Sequence, residues 1–120
     1  MATQVIRDPK TDHLLTSENA ALLLVDFQPG LVDGTNSQDR KALIENVVAL
    51  TKAAKLSKLP IVLSTIGVTA GYQTETIEEL RAILPDVTPI DRSAVNAWEE
   101  EAFRAAVEAT GRRKLLIAAL

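Results

Sequence analysis

The chain has 120 residues, 47% of them hydrophobic, which suffices for one domain with a buried core and leaves no room for a second domain. Its formal net charge is -3 and its 13 Lys and Arg residues are spread along the sequence, so it lacks the basic stripe that binds nucleic acid. The longest apolar runs fall far short of the roughly 20 residues that span a bilayer, and residues 1–10 have no apolar signal-peptide segment, so we expect a cytoplasmic protein that binds neither nucleic acid nor membrane.

The first half of the chain predicts one strand and one helix. Residues 20–26 form a nearly continuous apolar run that ends in Asp26, which is typical of a strand buried on both faces of a parallel sheet. Residues 27–38 are rich in glycine, proline and short polar side chains and predict a long loop at the carboxyl end of that strand. Apolar residues then recur at helical spacing over residues 38–59, with Ser37 as the predicted N-cap.

The second half predicts a further alternation of strands and helices. In chain order these are a strand at residues 61–66, a short helix between Thr74 and Pro85, a weak strand at residues 87–91, a third helix closed by Gly111 in a left-handed conformation, and a strand at residues 114–120. Trp98 is expected to be a core aromatic in the first turn of the third helix.

This alternation is typical of right-handed crossovers between parallel strands. The predicted fold class is therefore a three-layer α/β/α domain with a parallel sheet, covering residues 17–120. Residues 1–16 are polar and irregular, and we expect them to form an amino-terminal arm that contacts other subunits of a homo-oligomer. The sequence stops at a hydrophobic strand with no following helix, so we also expect the domain to be incomplete at its carboxyl end.

Two charged residues fall at the predicted carboxyl edge of the sheet, where ligands bind in open parallel sheets. Asp26 ends the first strand and Arg92 follows the third. A carboxylate paired with a guanidinium in one cleft could deprotonate and orient a third group, so both residues are candidate catalytic residues. The alternatives are a turn-forming role for Asp26 and a surface salt bridge for Arg92.

Other polar residues give weaker indications of a functional site. Asn96 is interpreted as a cap of the third helix and is also the candidate substrate-binding residue. His13, the single histidine, lies in the polar arm without partners at ligand spacing, so no metal site is expected. The chain has no cysteine, and its sequence contains no GxGxxG, Walker A or GxSxG motif, so no cofactor is expected either.

The segments LLLVDFQPGLVDG (residues 22–34), LPIVLSTI (residues 59–66) and VNAWEEEAFRAAVEATGRRKLLIAAL (residues 95–120) resemble the isochorismatase-like cysteine hydrolases. The resemblance runs from about Ala20 to the last residue. It is stronger to a branch of uncharacterised hydrolases than to the related nicotinamidases. The histidines that bind metal in nicotinamidases would follow the second strand, and residues 67–79 contain none, so a zinc-assisted nicotinamidase is disfavoured.

This resemblance implies a catalytic triad of Asp, a basic residue and Cys. Asp26 matches the acid, and Arg92 stands where most members of the family have lysine. The cysteine would lie about five residues beyond Leu120, at a helix N-terminus that favours a thiolate. In the family the thiolate attacks an amide, imide or related carbonyl carbon of a small molecule, and water then hydrolyses the acyl-enzyme.

Two other hypotheses remain open at the sequence level. Because the 120 residues lack the nucleophile, the chain could be a catalytically inactive α/β module for binding or assembly. A nucleotide-binding protein of similar topology would need a glycine-rich turn after the first strand, and residues 27–34 are a weak version of one. The sequence identifies neither the substrate nor the number of subunits.

Overall fold

The computed structural model describes residues 14–120, and these form a four-stranded parallel sheet with helices packed on both faces. The chain alternates between strands and helices as predicted. Its elements are β1 (Ala20–Val25), α1 (Pro29–Asp33), α2 (Arg40–Leu56), β2 (Ile61–Ile66), α3 (Glu78–Ile83), β3 (Ile90–Arg92), a 3-10 turn (Ala97–Glu99), α4 (Glu101–Ala109) and β4 (Lys114–Ala119).

The strand order is β3-β2-β1-β4, so β1 lies inside the sheet and is hydrogen-bonded on both sides. Leu23 of β1 aligns with Val62 of β2 and with Ile117 of β4. Each residue of β1 from Ala20 to Leu24 is no more than 2% exposed. A strand covered on both faces needs apolar side chains on both faces, which explains its nearly continuous apolar sequence.

Helices α1, α2 and α3 cover one face of the sheet, where Leu24 and Leu63 pack in the larger core cluster. Helix α4 covers the opposite face, where Phe103 and Val107 pack against Leu23 and Val62. The three-layer α/β/α prediction is therefore confirmed.

Several boundaries in the first half differ from the prediction. Strand β1 ends at Val25, because Asp26 adopts a left-handed backbone conformation (φ 68°) that breaks the extended strand. The predicted loop of residues 27–38 contains the short helix α1, which begins with Pro29 at a position where a missing N–H costs nothing. The N-cap of α2 is Asp39 instead of Ser37, since its carboxylate accepts a hydrogen bond from the Ala42 N–H.

The second half also departs from the prediction at two points. Strand β3 includes Arg92, which therefore lies in the strand and does not follow it. The predicted third helix is split into the 3-10 turn and α4, and Trp98 on that turn is 46% exposed. The expectation that Trp98 is a core aromatic was wrong, although the edge of its ring contacts the buried Phe103, with the ring centroids 6.4 Å apart. Gly111 has the predicted left-handed conformation, with a φ of 67°.

Strand β4 forms one edge of the described sheet. Its Leu115 and Ile117 are 38% and 66% exposed, because they point to the face that α4 covers only over β1 and β2. Most of the predicted amino-terminal arm, residues 1–13, lies outside the described residues, and the boundary at residue 17 stays a prediction. Within residues 14–120 no helix has the length and apolar character needed to cross a membrane.

Candidate functional site

Asp26 and Arg92 form a two-point ion pair at the carboxyl edge of the sheet. Arg92 Nη1 donates to Asp26 Oδ1 at 2.6 Å and Nη2 donates to Oδ2 at 2.9 Å. The two side chains are separated by 66 residues in the sequence, and the parallel strands bring them together. The structure thus unites the two charged residues that the sequence pattern indicated.

Asp26 is directed to this position by the backbone at the end of β1. Its N–H still continues the sheet by donating to Ser64 O of β2 at 3.1 Å. Its positive φ then turns the chain sharply into α1. Aspartate tolerates the left-handed region better than most residues, and a polar residue held there at a strand end is typical of functional sites.

Arg92 is the more deeply buried partner. Its side chain is 1% exposed, against 11% for Asp26. The guanidinium also donates from Nη1 to Ser64 Oγ at 3.1 Å and to Thr65 O at 3.2 Å, and from Nη2 to Val95 O at 3.0 Å. Its Nε is buried and has no hydrogen-bond partner among the described residues. These contacts fix the guanidinium plane, and with it the orientation of the carboxylate.

Gln28 is a buried site residue for which the sequence analysis assigned no role. It is 0% exposed, and its amide pairs with both backbone groups of Ile66, accepting from N and donating to O at 3.0 Å each. It also donates to Thr74 O at 2.9 Å. One side chain thus joins the turn after β1 to the end of β2 and to the segment before α3. No local sequence pattern marks a glutamine that acts over this distance.

Asp91 is a second residue that the sequence analysis missed as a site component. Its carboxylate accepts from Thr65 Oγ1 at 2.9 Å, from the Val68 N–H at 3.2 Å and from the Thr69 N–H at 2.8 Å. Burial acts to raise the pKa of Asp91, but the hydrogen bonds from Thr69, Thr65 and Val68 outweigh it and lower the pKa to about 2. Asp91 therefore anchors the beginning of the segment that follows β2.

We expect Asp91→Asn to lower the free energy of unfolding by about 1 to 3 kcal/mol at pH 7, since an amide cannot replace the charged acceptor of two backbone N–H groups. A carboxyl whose pKa is lower in the folded state stabilises the fold above its unfolded pKa and loses that contribution as the pH falls through the folded value. The difference between wild type and variant should therefore shrink as the pH falls from 3.8 to about 2. Urea unfolding at several pH values measures this difference in the free energy of unfolding. A difference that does not vary with pH would contradict the stabilising role of the Asp91 carboxylate.

Asn96 has a capping contact in the structure. Its side chain accepts from the Trp98 N–H at 3.1 Å and so caps the 3-10 turn that precedes α4. The capping prediction is confirmed for that turn, while a contact between Asn96 and substrate stays a prediction. Among residues 14–120 no three His, Cys, Asp or Glu side chains lie together in a group that could hold a metal ion, and His13 lies outside this range.

Comparisons with known proteins agree with this architecture. The Isochorismatase domain model matches residues 20–118. Probable hydrolase YcaC from Escherichia coli (strain K12) is 40% identical over 105 residues, which cover 87% of this chain and 50% of that protein. The chain therefore spans about half the length of this relative.

Two solved structures of YcaC proteins have the same fold as the described chain. The Escherichia coli structure, described as an octameric hydrolase of unknown specificity, matches with a TM-score of 0.83 and 36% identity over 99% of this chain and 55% of that one. YcaC from Pseudomonas aeruginosa, solved with hexane-2,5-diol and covalent acrylamide, matches with a TM-score of 0.84 and 34% identity over 92% of this chain and 55% of that one.

Proposed function

Because this chain belongs to the isochorismatase domain family, we propose that it supplies the Asp–Arg half of a cysteine hydrolase acting on an amide, imide or related bond of a small molecule. The observation that carries the proposal is the buried two-point pair of Asp26 and Arg92 at the carboxyl edge of the sheet. Structural ion pairs also occur at sheet edges, but this one joins two strand ends at the place where parallel sheets bind ligands.

Asp26 is the group that would accept the proton of the nucleophile. A carboxylate has about four lone-pair positions, and the two guanidinium contacts occupy only two of them. The side chain of Asp26 is 11% exposed, so it is not fully enclosed by the described residues and a third group could approach it. A thiol placed there would transfer its proton to Asp26, and the thiolate would attack the carbonyl carbon of the substrate.

The later steps use the proton that Asp26 has accepted from the thiol. The tetrahedral intermediate would collapse to a thioester, and the leaving nitrogen would take the proton from Asp26 as the C–N bond breaks. Water, deprotonated by Asp26, would then attack the thioester and release a carboxylic acid and the free thiol. The cysteine of this scheme is not among the 120 residues.

Arg92 would act through Asp26. A guanidinium remains charged and accepts no proton, so it cannot shuttle protons as a lysine could. With 1% of its side chain exposed, Arg92 has no surface for substrate contact in the described part of the chain. Its role would be to orient the carboxylate and to balance its charge, which makes it a positioning residue.

The relatives support the proposal in two ways. The Escherichia coli protein is named a probable hydrolase, and the Pseudomonas aeruginosa protein holds covalent acrylamide, an electrophile that reacts with thiolates. The octameric assembly of the Escherichia coli protein likewise supports a homo-oligomer for the protein proposed here. A cytoplasmic location and a small-molecule substrate belong to the same proposal.

Intact-mass spectrometry of the protein purified from its natural source, before and after treatment with iodoacetamide, tests the proposal. We expect a species that contains this sequence and gains the mass of one carbamidomethyl group rapidly at neutral pH, because a thiolate at the site would be the reactive form. A mass of 13.0 kDa with no alkylated species would contradict the proposal and favour the inactive binding or assembly module.

A further inference from the structure

A cleft lies near the carboxyl edge of the sheet, between α1 and the segment that follows β2. Its volume is about 300 Å³, enough for about ten water-sized groups. Its walls come from separate elements: Leu31 from α1, Ile66 from the end of β2, Tyr72 and Gln73 from the following segment, and Ser93 after β3. Neither Asp26 nor Arg92 lines the cleft, but two of its lining residues are neighbours of Arg92: Ser93 follows it in the chain, and Ile66 aligns with it across the sheet.

The segment that forms the outer wall is anchored at both ends. Asp91 holds the N–H groups of Val68 and Thr69 at its beginning. Gln28 holds Thr74 O at its end. Between these anchors the N–H groups of residues 72 and 73 both donate to Gly67 O, at 2.8 and 3.2 Å, which closes the segment on itself. The backbone of the wall is therefore set by the fold before any ligand binds, which avoids the cost of ordering a loop, while the side chain of Tyr72 is 84% exposed at the rim of the cleft.

Glycine at position 30 makes room for the side chain of Gln73. A Cβ built on Gly30 would lie 2.7 Å from Gln73 Oε1, closer than real Cβ contacts allow. The amide of Gln73 therefore rests directly against the backbone of α1. Gln73 is partly buried there and is one of the few hydrogen-bonding side chains of the cleft.

The cleft is uncharged. None of its lining residues is an acid or a base. The guanidinium of Arg92 is buried against Asp26, and the carboxylate of Asp91 is engaged by three hydrogen bonds. A charged group entering the cleft would lose hydration without gaining an opposite charge from the residues that line it.

We propose that this cleft binds small uncharged substrates, with a short apolar chain against Leu31, Ile66 and Tyr72 and a carbonyl or amide group against Gln73. This inference rests on the function proposed above and narrows it to neutral amides of up to about ten non-hydrogen atoms, with carboxylates excluded. Gln73 is then the residue that selects a polar neutral group.

Binding of three probes of matched shape tests the inference: butyramide, butyrate and butylammonium. In ¹H–¹⁵N spectra of the whole protein that contains this sequence, we expect butyramide to shift the amide signals of residues 67–73 with a millimolar Kd, because so small a ligand makes few contacts. Butyrate and butylammonium should bind at least tenfold more weakly. Equal binding of butyrate, or butyramide shifts confined to other parts of the chain, would overturn the inference.

Two variants and a control make the test specific. Gln73→Leu removes the proposed hydrogen bond and should weaken butyramide binding about fivefold. Gly30→Ala should displace the Gln73 amide and have a similar effect. Gln38→Leu makes the same chemical change at an exposed position outside the cleft and should leave the Kd unchanged. An unchanged Kd in Gln73→Leu would refute the assigned role.

The readout requires no cysteine, so this inference and the proposed function can fail separately. A reactive cysteine found by mass spectrometry together with no binding of butyramide would refute the neutral cleft alone. Selective binding of butyramide by a protein in which mass spectrometry finds no reactive cysteine would support the neutral cleft and refute the proposed hydrolase.

Discussion

Replacing Arg92 by Met is expected to lower the free energy of unfolding by about 3 to 5 kcal/mol, because it leaves the carboxylate of Asp26 buried without its counter-charge. The acceptors Ser64 Oγ, Thr65 O and Val95 O would lose their donors at the same time. Methionine fills a similar volume, so packing should contribute little to the loss. Urea unfolding followed by circular dichroism measures the difference.

A matched control and a mutant cycle separate the ion pair from the loss of a charge alone. Arg113→Met changes an exposed arginine and should alter the free energy of unfolding by no more than about 0.5 kcal/mol. The double variant Asp26→Asn/Arg92→Met should lose less than the sum of the single variants, with a coupling energy of about 0.5 to 3 kcal/mol. Strict additivity would show that the two side chains do not stabilise each other.

The second large effect is expected on reactivity. In the cysteine-containing protein, Asp26→Asn should lower kcat/KM for amide hydrolysis by about 10² to 10⁴, since asparagine cannot accept the proton of the thiol. Asparagine suits the left-handed backbone of this position and can still accept one hydrogen bond from Arg92, so the site should keep its shape. The rate of alkylation by iodoacetamide should fall in parallel, because less thiolate forms.

Asp86→Asn is the matched control, because Asp86 is exposed and lies outside the ion pair. Its kcat/KM should equal that of the wild type. The hydrolysis assays should be run at a temperature at which circular dichroism shows that both the Asp26→Asn and the Asp86→Asn variants are folded. If Asp26→Asn kept more than about a tenth of the activity, general base catalysis by Asp26 would be refuted.

These two predictions concern residues that the amino-acid sequence already indicated. Asp26 stands at the end of an apolar run that is typical of a buried strand, and Arg92 stands close to a weaker predicted strand. Parallel strands place their carboxyl ends at one edge, so the sequence predicts that both residues lie at this edge. Their direct pairing, at 2.6 Å across the end of the intervening strand β2, depends on the strand order, which only the structure gives.

The fold class itself was determined by local patterns. Runs such as residues 20–25 and 61–66 carry apolar side chains on both faces and lie between segments of helical periodicity, and only a sheet covered on two sides satisfies both. The exact ends of the elements depended on details that hydrophobic patterns do not contain. The positive φ of Asp26, the choice of Asp39 as N-cap and the break before α4 are examples.

Only the tertiary structure revealed the supports of the site. Gln28 acts on residues 38 and 46 positions away, and Asp91 on residues 22 to 26 positions away. Hydrogen bonds over such separations leave no periodic pattern, because their geometry depends on how the strands align and where the intervening chain returns. The sequence by itself determined the layers and the two charged residues at their edge, and the tertiary structure determined which neutral and anionic side chains hold that edge in place.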